Sequence, residues 1–385
     1  MTLFGTAGIR GDVRERLTPA LALAVGRAAG ADAADRDSTP EFVIARDGRE
    51  TGPGLCAALE AGLESAGAAV RRAGVLPTPA LAFASRGRRG VMVTASHNPP
   101  TDNGLKLFAD GEEYGDDAEA RIESRVAEPD SPAAWDEWGS AKRIDPLPAY
   151  HDRITDYATG HGSTLDGVEL VVDCGNGMAG RATPQVLGAL GAEVTGLNAN
   201  VDGHFPARGS KPTPETLGDL QAFLADDEGS GSGDETDDPT IGIAHDGDAD
   251  RVVFLDSAGE IVHEDTVVAI LAEHYTRASD ADDPVVVTTP NASSRIAERP
   301  YRKVSVDCPD DRKATVMERL ATTLPEAFPD ADVDTEHGVR LALDEGWVLV
   351  RPSGTEPKVR VYVESEQVEE LRERAVAAVE TAVDS

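Results

Sequence analysis

The chain has 385 residues, 40% of them apolar, which is material for two to four packed domains and excludes a disordered polypeptide. Acidic residues number 70 against 36 basic ones, only six of them lysine, for a formal charge of −34. Such a surface repels nucleic acid and anionic membranes, and no apolar run approaches the ~20 residues a membrane span needs, so neither partner is expected.

Arginine outnumbers lysine on a strongly acidic chain, a balance suited to a cell full of salt. At 1 M salt the Debye length falls to ~3 Å and self-repulsion is screened. The composition points to a halophilic archaeon as the source. Cys56, Cys174 and Cys308 are odd in number and widely spaced, which argues against a disulfide frame or a cysteine metal site. With no basic or apolar leader at Met1-Thr2-Leu3-Phe4-Gly5, the expected compartment is the reducing cytoplasm.

In chain order, Phe42-Val43-Ile44-Ala45 predicts a strand, Asp47-Gly48-Arg49 a loop, and Gly54 to Ser65 a helix. Gly67-Ala68-Ala69-Val70 opens the next strand. Val91-Met92-Val93 reads as a buried strand that stops in the polar loop Thr94-Ala95-Ser96-His97-Asn98-Pro99-Pro100. The same grammar returns at Leu170-Val171-Val172, a helix near Pro184 to Leu190, and Gly191-Ala192-Glu193-Val194. A third copy starts at Val285-Val286-Val287-Thr288 and breaks off before Arg299-Pro300-Tyr301. This alternation predicts repeated α/β layers. The run from Asp226 to Asp238 has no apolar face and reads as a solvated loop. A separate α+β unit closes the chain, with a helix around Lys313 to Leu320, strands Trp347 to Arg351 and Val359 to Glu364, and a helix from Val368.

Three segments carry chemistry. Ser96 stands at a strand end beside an imidazole and an amide, where a hydroxyl can serve as nucleophile given a base or an electrostatic partner. The competing reading is an ordinary strand-to-helix turn. His97 could act as base, but on extended backbone it would face away from Ser96, which leaves Lys106 as the better candidate for proton handling or a phosphate contact.

Asp246-Gly247-Asp248-Ala249-Asp250-Arg251 offers three carboxylates at alternate positions, and a curled loop would converge them on Mg²⁺. A helix-loop-helix calcium site fails, because Arg251 and Ser257 occupy the positions it needs as glycine and glutamate. The bland alternative, a solvated acidic turn, is weakened by the apolar flanks Ile241-Gly242-Ile243 and Val252-Val253-Phe254. Arg351-Pro352-Ser353-Gly354-Thr355-Glu356-Pro357 with Arg360 suits phosphate recognition, against a plain hairpin with surface arginines. Gly175-Asn176-Gly177-Met178-Ala179-Gly180 matches a dinucleotide fingerprint formally. It lacks the acidic partner after the next strand and is read as structural.

Together with Phe4-Gly5-Thr6-Ala7-Gly8-Ile9-Arg10-Gly11, these motifs resemble the α-D-phosphohexomutase family over nearly the whole chain. The resemblance implies repeated mixed-sheet α/β domains and a C-terminal α+β domain, divided here as 1–147, 148–256, a shortened third domain 257–300, and 301–385. It implies a phosphohexomutase interconverting hexose 1-phosphate and hexose 6-phosphate through a phosphoserine and a hexose 1,6-bisphosphate, as a monomer or homodimer. Ser96 would carry the phosphoryl group, and Asp246, Asp248 and Asp250 would hold Mg²⁺ with it. Arg251 would steady that group, and Arg10 and Lys106 would serve acid–base work, with His97 beside the carrier. Arg351, Ser353, Gly354, Thr355 and Arg360 would grip the phosphate not being transferred. The family pattern also has a Gly-Glu-x-Ser-Gly-type sugar-reading loop in its third domain, and none occurs here. A phosphoserine-forming phosphatase or transferase, or a silent sugar-phosphate binder, therefore stands as the alternative.

The salt reading makes a direct prediction: the melting temperature rises between low and molar KCl. Equal melting in both would overturn it.

Overall fold

In a computed structural model of the chain, the described residues are 3–5, 8–162, 164–227, 240–278, 301–329, 331–335, 338–343, 346–353, 357–365 and 367–384. The third strand-and-loop copy at 285–294, and Gly354 and Thr355, lie outside them; of the run 226–238 read as a solvated loop, Asp226 and Asp227 instead end a helix and the rest lies outside the described residues. Two compact units divide the chain, Met1–Val262 and His263–Ser385.

The first unit carries two mixed sheets. In the larger, the strands are β1 (Ile9–Asp12), β2 (Glu41–Arg46), β3 (Ala69–Val75), β4 (Arg89–Val93), β5 (Asp102–Ala109), β6 (Glu112–Glu113) and β7 (Ala141–Arg143). They lie in the order β1-β5-β4-β2-β3-β7, with β6 hydrogen-bonded to β5. Strands β4, β2, β3 and β7 run parallel, and β5 returns antiparallel to β4 with Val93 opposite Leu105. Helices α1 (Pro19–Ala34) and α2 (Gly52–Ser65) cover one face. α3 (Thr78–Ala84) packs on the other, and α4 (Asp116–Ala127) packs on α1.

Parallel strands bury both faces, which is why they read as unbroken apolar runs. Phe42 and Ile44 face α1 and α2 with Leu55, Leu59 and Leu63. Val43 and Ala45 face the other way, against Leu76, Leu81 and Met92.

Helix α5 (Leu147–His161) leads into the second sheet, built from β8 (Glu169–Asp173), β9 (Glu193–Leu197), β10 (Ile241–His245), β11 (Val252–Leu255) and β12 (Ile261–Val262). Its order is β12-β11-β10-β8-β9, flanked by α6 (Thr183–Ala189) and α7 (Gly218–Asp227). Strands β9, β8 and β10 are parallel, and β11 returns antiparallel to β10 with His245 opposite Val252. The β4-loop-β5 and β10-loop-β11 connections therefore occupy the same place in two copies of one unit. The first holds Ser96 and the second holds Asp246, Asp248 and Asp250.

The second unit begins with α8 (Glu264–Ala278). Its sheet contains β13 (Tyr301–Asp307), β14 (Asp332–Asp334), β15 (Val339–Leu343), β16 (Gly346–Pro352) and β17 (Lys358–Ser365), all antiparallel, in the order β13-β17-β16-β15-β14. Helices α9 (Lys313–Ala327) and α10 (Val368–Asp384) bury Val316, Leu320, Leu371 and Val379 against Val348, Val350, Val361 and Val363.

One glycine is demanded where the first sheet approaches the Ser96 loop. A methyl group on Gly104 would collide with the Thr94 carbonyl oxygen and press on the Arg10 side chain. Gly104→Ala is expected to cost about 1–3 kcal/mol of stability through this overpacking, read as a lower denaturant midpoint with an unchanged slope.

Candidate active site

Ser96 is fully buried and adopts φ 51°, the left-handed region that L-residues seldom enter. Its loop joins two antiparallel strands, so the strand-to-helix reading is corrected: β5 runs back beside β4 and no helix follows. The backbone N–H of Ser96 donates to Thr94 Oγ1 at 2.9 Å. Its hydroxyl donates to Asp246 Oδ2 at 2.7 Å, across 150 residues of sequence.

The left-handed turn also corrects the expectation for His97. On extended backbone His97 would face away, but the reversal at Ser96 brings its Nδ1 to 3.3 Å from Ser96 Oγ. Burial pushes the His97 imidazole down to about 4, and the nearby charges of Arg251, Arg10 and Lys211 push the same way. The ring is neutral at physiological pH.

The acidic loop curls, with Ala249 at φ 60°, and the chosen oxygens of Asp246, Asp248 and Asp250 all lie within 4.8 Å of one another. Asp246 and Asp248 are buried and Asp250 is exposed. Burial, then repulsion from Asp248 and Asp250, lifts the Asp246 carboxyl to about 8. Burial also opposes charge on Asp248. There Lys106 and the Thr78 hydroxyl prevail, and its carboxyl falls below the ordinary range. Thr78 Oγ1 donates to Asp248 Oδ2 at 2.6 Å, and its N–H donates to the Asp248 carbonyl at 3.0 Å. Asp248 Oδ1 is buried with no hydrogen-bond partner among the described residues. A buried carboxylate oxygen left open within a three-carboxylate cluster fits a hard cation with oxygen ligands.

Three cations border this cluster. Lys106 Nζ donates to Asp250 Oδ2 at 2.6 Å and stands 3.4 Å from Asp248 Oδ2. Burial works against its charge, but these carboxylates and Glu113 outweigh it and raise the ammonium above its ordinary value. Arg251 Nε lies 4.0 Å from Asp246 Oδ2 and 3.9 Å from Asp250 Oδ1. Arg10 sits on β1 opposite Gly104, and its three guanidinium nitrogens are buried without a hydrogen-bond partner among the described residues. Burial lowers its pKa against the pull of Asp248 and Asp250. An unspent buried guanidinium beside a carboxylate cluster is a ready donor for an anionic ligand.

Ser96, His97, Lys106, Arg10, Arg251 and the three aspartates thus share one site within Met1–Val262. Arg351 and Ser353 belong to the other unit, at the end of β16. Ser353 N–H donates to the Lys358 carbonyl at 2.8 Å, closing the β16–β17 turn, and Arg360 lies in register opposite Arg351. Arg351 Nε is buried without a hydrogen-bond partner among the described residues, and its guanidinium lies 5.8 Å from the centre of the Tyr362 ring.

Several residues at the site carried no sequence signal. Thr78 reads as a helix start before Pro79, yet it serves Asp248. Asp47 and Arg49 read as an ordinary turn. Both are fully buried under the Ser96 loop. The formal dinucleotide motif braces the acidic loop instead. Met178 N–H donates to the Gly247 carbonyl at 3.0 Å, and a methyl on Gly177 would sit 2.7 Å from that oxygen.

Comparison with known proteins identifies the family of the chain. Residues 1–133 match the phosphoglucomutase/phosphomannomutase α/β/α domain I, residues 148–259 match domain II, and residues 304–381 match the C-terminal domain of that family. A protein named as a probable phosphoglucosamine mutase of Methanopyrus kandleri is 35% identical over 449 aligned positions, covering 96% of this chain and 95% of that one. Those 449 positions exceed this chain's 385 residues, so the alignment opens gaps in it. A phosphopentomutase of Thermococcus kodakarensis is 32% identical, covering 98% of this chain and 98% of its own length. A crystal structure of a phosphoglucomutase/phosphomannomutase family protein from Burkholderia thailandensis superposes with a TM-score of 0.80 at 24% identity, covering 99% of this chain and 97% of that one.

Removing the Thr78 hydroxyl leaves a buried carboxylate oxygen short of its donor. Thr78→Val is expected to lower stability by about 1–3 kcal/mol, measured by urea unfolding without added divalent cation.

Proposed function

Because the chain belongs to the phosphoglucomutase/phosphomannomutase family, whose members are phosphate-transferring isomerases, we propose that it interconverts a hexose 1-phosphate and its 6-phosphate through a phosphorylated Ser96. The observation that carries this reading is the 2.7 Å hydrogen bond from Ser96 to Asp246 inside the three-carboxylate cluster. Three carboxylates crowded round one buried hydroxyl leave negative charge that a bound cation would offset. Asp246, Asp248, Asp250 and the Ser96 oxygen would hold Mg²⁺, which would supply charge neutralisation for the phosphoryl oxygens.

The chain's own residues account for the rest. When the phosphoryl group arrives, a bond forms from Ser96 Oγ to phosphorus and the bond from phosphorus to the sugar oxygen breaks. The Ser96 proton must leave. With Asp246 engaged as a ligand, the neutral His97, 3.3 Å away, is the acceptor at hand, and it returns the proton on the reverse step. The departing sugar oxygen takes its proton from the Lys106 ammonium, which regains it on the reverse step, while Arg10 and Arg251 present positive charge to the phosphoryl oxygens. Phosphoserine adds about −1.5 to −2 charges at pH 7, which these three cations offset beside the aspartates. The sugar 1,6-bisphosphate then turns round and returns its other phosphate to Ser96.

The Arg351, Ser353, Gly354, Thr355 and Arg360 turn fits the role of gripping the phosphate that stays in place. The divisions proposed for the chain remain 1–147, 148–256, 257–300 and 301–385. No hexose is preferred by the site itself. The names of the relatives make glucosamine 1-phosphate the first substrate to assay and a pentose 1-phosphate the natural control.

The test supplies glucose, mannose, glucosamine and ribose 1-phosphates with Mg²⁺ and a bisphosphate primer in molar KCl. Appearance of the matching phosphate isomer is expected. Free phosphate alone would point to transfer onto water, and binding without turnover to a silent protein. Ser96→Ala is expected to abolish turnover in a folded protein, and retained activity would remove Ser96 from the mechanism. Asp248→Asn is expected to raise the Mg²⁺ concentration for half-activation about 10- to 100-fold in a metal titration.

A further inference from the structure

The largest fully buried side chain is not in the cluster but beneath it: Arg49, in the loop after β2, with none of its surface exposed. A guanidinium has five N–H donors in a fixed fork, and all five are engaged here. Nε donates to Asp47 Oδ2 at 3.0 Å. Nη1 donates to the carbonyls of Pro99 and Asp102, the latter at 2.9 Å. Nη2 donates to the carbonyls of Ser96 at 2.9 Å and Asn98 at 2.7 Å. Four of the five acceptors are main-chain oxygens of the loop that holds Ser96.

Asp47 ties the other end. It accepts from the Arg49 N–H at 3.0 Å and from Thr94 Oγ1 at 2.7 Å, and that same Thr94 oxygen accepts from the Ser96 N–H. Both flanks of the Ser96 peptide are therefore held, the N–H through Thr94 and the carbonyl by Arg49. The clamp reaches the second copy of the unit as well. The Phe205 ring centre lies 5.2 Å from the guanidinium, and Ser210 Oγ donates to the same Asn98 carbonyl at 2.9 Å.

We propose that Arg49 is the positioning residue of the phosphoryl-carrying hydroxyl: by filling the inward carbonyls of this loop it fixes the left-handed turn that aims Ser96 Oγ at Asp246. This rests on Ser96 being the carrier. Four carbonyl oxygens converging on one point repel one another, and a left-handed serine relaxes once they are released. The reacting oxygen would then shift by a fraction of a bond length to about 1 Å, a misplacement that costs about 100-fold in rate. Arg49 is wholly buried and spends all its donors on protein acceptors, so substrate binding should be spared. A lysine keeps the charge but offers three donors to five acceptors, and at least two of the five go unpaired.

The experiment compares wild type, Arg49→Lys and Ser96→Ala, each in molar KCl with Mg²⁺. For Arg49→Lys, kcat should fall about 100-fold, with KM for the sugar phosphate and the Mg²⁺ half-activation each within about twofold. Single-turnover transfer from labelled sugar bisphosphate onto Ser96 should slow by the same factor. Activity that declines only with the folded fraction, at unchanged turnover per folded molecule, would overturn the proposal and leave Arg49 a stabilising residue. If Arg49→Lys does not fold, Asp47→Asn carries the test. It should lower kcat about 10- to 100-fold at constant KM, and an unaltered kcat would overturn the proposal. Turnover by Ser96→Ala would instead sink the carrier reading, while a dead Ser96→Ala beside a fully active Arg49→Lys sinks only the clamp.

Discussion

Everything in Met1–Val262 is organised around too much negative charge in one buried place. Three carboxylates crowd within 4.8 Å, and the hydroxyl of Ser96 points at one of them. Like charges so close cannot all ionise without help, and the help is unevenly shared. Asp248 has Lys106 and Thr78 and stays charged. Asp246 has the Ser96 hydroxyl, the Arg251 backbone N–H at 3.3 Å and a guanidinium 4.0 Å away, and it is driven up to about 8. The cluster is thus a site waiting for positive charge, and Arg10, with its guanidinium unspent, is its mirror: a buried cation waiting for an anion. A cation and a phosphoryl group together resolve both.

Duplication explains how two loops so far apart in sequence come to face one another. Each copy ends its central parallel strand in a loop and returns antiparallel, and a loop at that position emerges at the carboxyl end of the sheet. Each copy also buries an Asp–Arg pair at the foot of the neighbouring strand. Asp47 and Arg49 lie under the Ser96 loop, and Asp173 and Arg208 lie under the acidic loop, where Arg208 donates to the His245 carbonyl at 2.7 Å. The two pairs do the same work from different chain positions. Arg49 is two residues from its aspartate, whereas Arg208 is 35 residues from Asp173. What persists between the copies is the physical need, a fork of donors for inward carbonyls, rather than a sequence spacing.

The strands, the repeat and the acidic loop were legible because apolar periodicity and alternating carboxylates are local properties. Ser96, Asp246, Asp248 and Asp250 could be singled out for that reason. The orientation of His97 was not legible, because it depends on one backbone angle at Ser96 that reverses the alternation rule. Arg49 was hidden more deeply. Its acceptors are main-chain carbonyls, which have no residue type to recognise, and a three-residue turn of Asp, Gly and Arg reads as solvent-exposed. Thr78 was disguised by the helix it begins, since its partner Asp248 is 170 residues away.

The choice of cation at each buried position follows from geometry rather than from the arginine-rich balance of the chain. Arg49 and Arg208 must satisfy several fixed oxygens at once, and only a planar fork does so without moving. Lys106 has the opposite task. It stands between Asp248 and Asp250, at 3.4 Å and 2.6 Å, and a compact charge on a flexible stem can follow either carboxylate as charge changes beside it. These contacts are short and largely buried, where dissolved salt screens weakly, whereas most of the 70 acidic residues carry surface charge that salt screens strongly. Dissolved salt therefore acts on the surface charge far more than on how Ser96, Asp248 and Lys106 face one another.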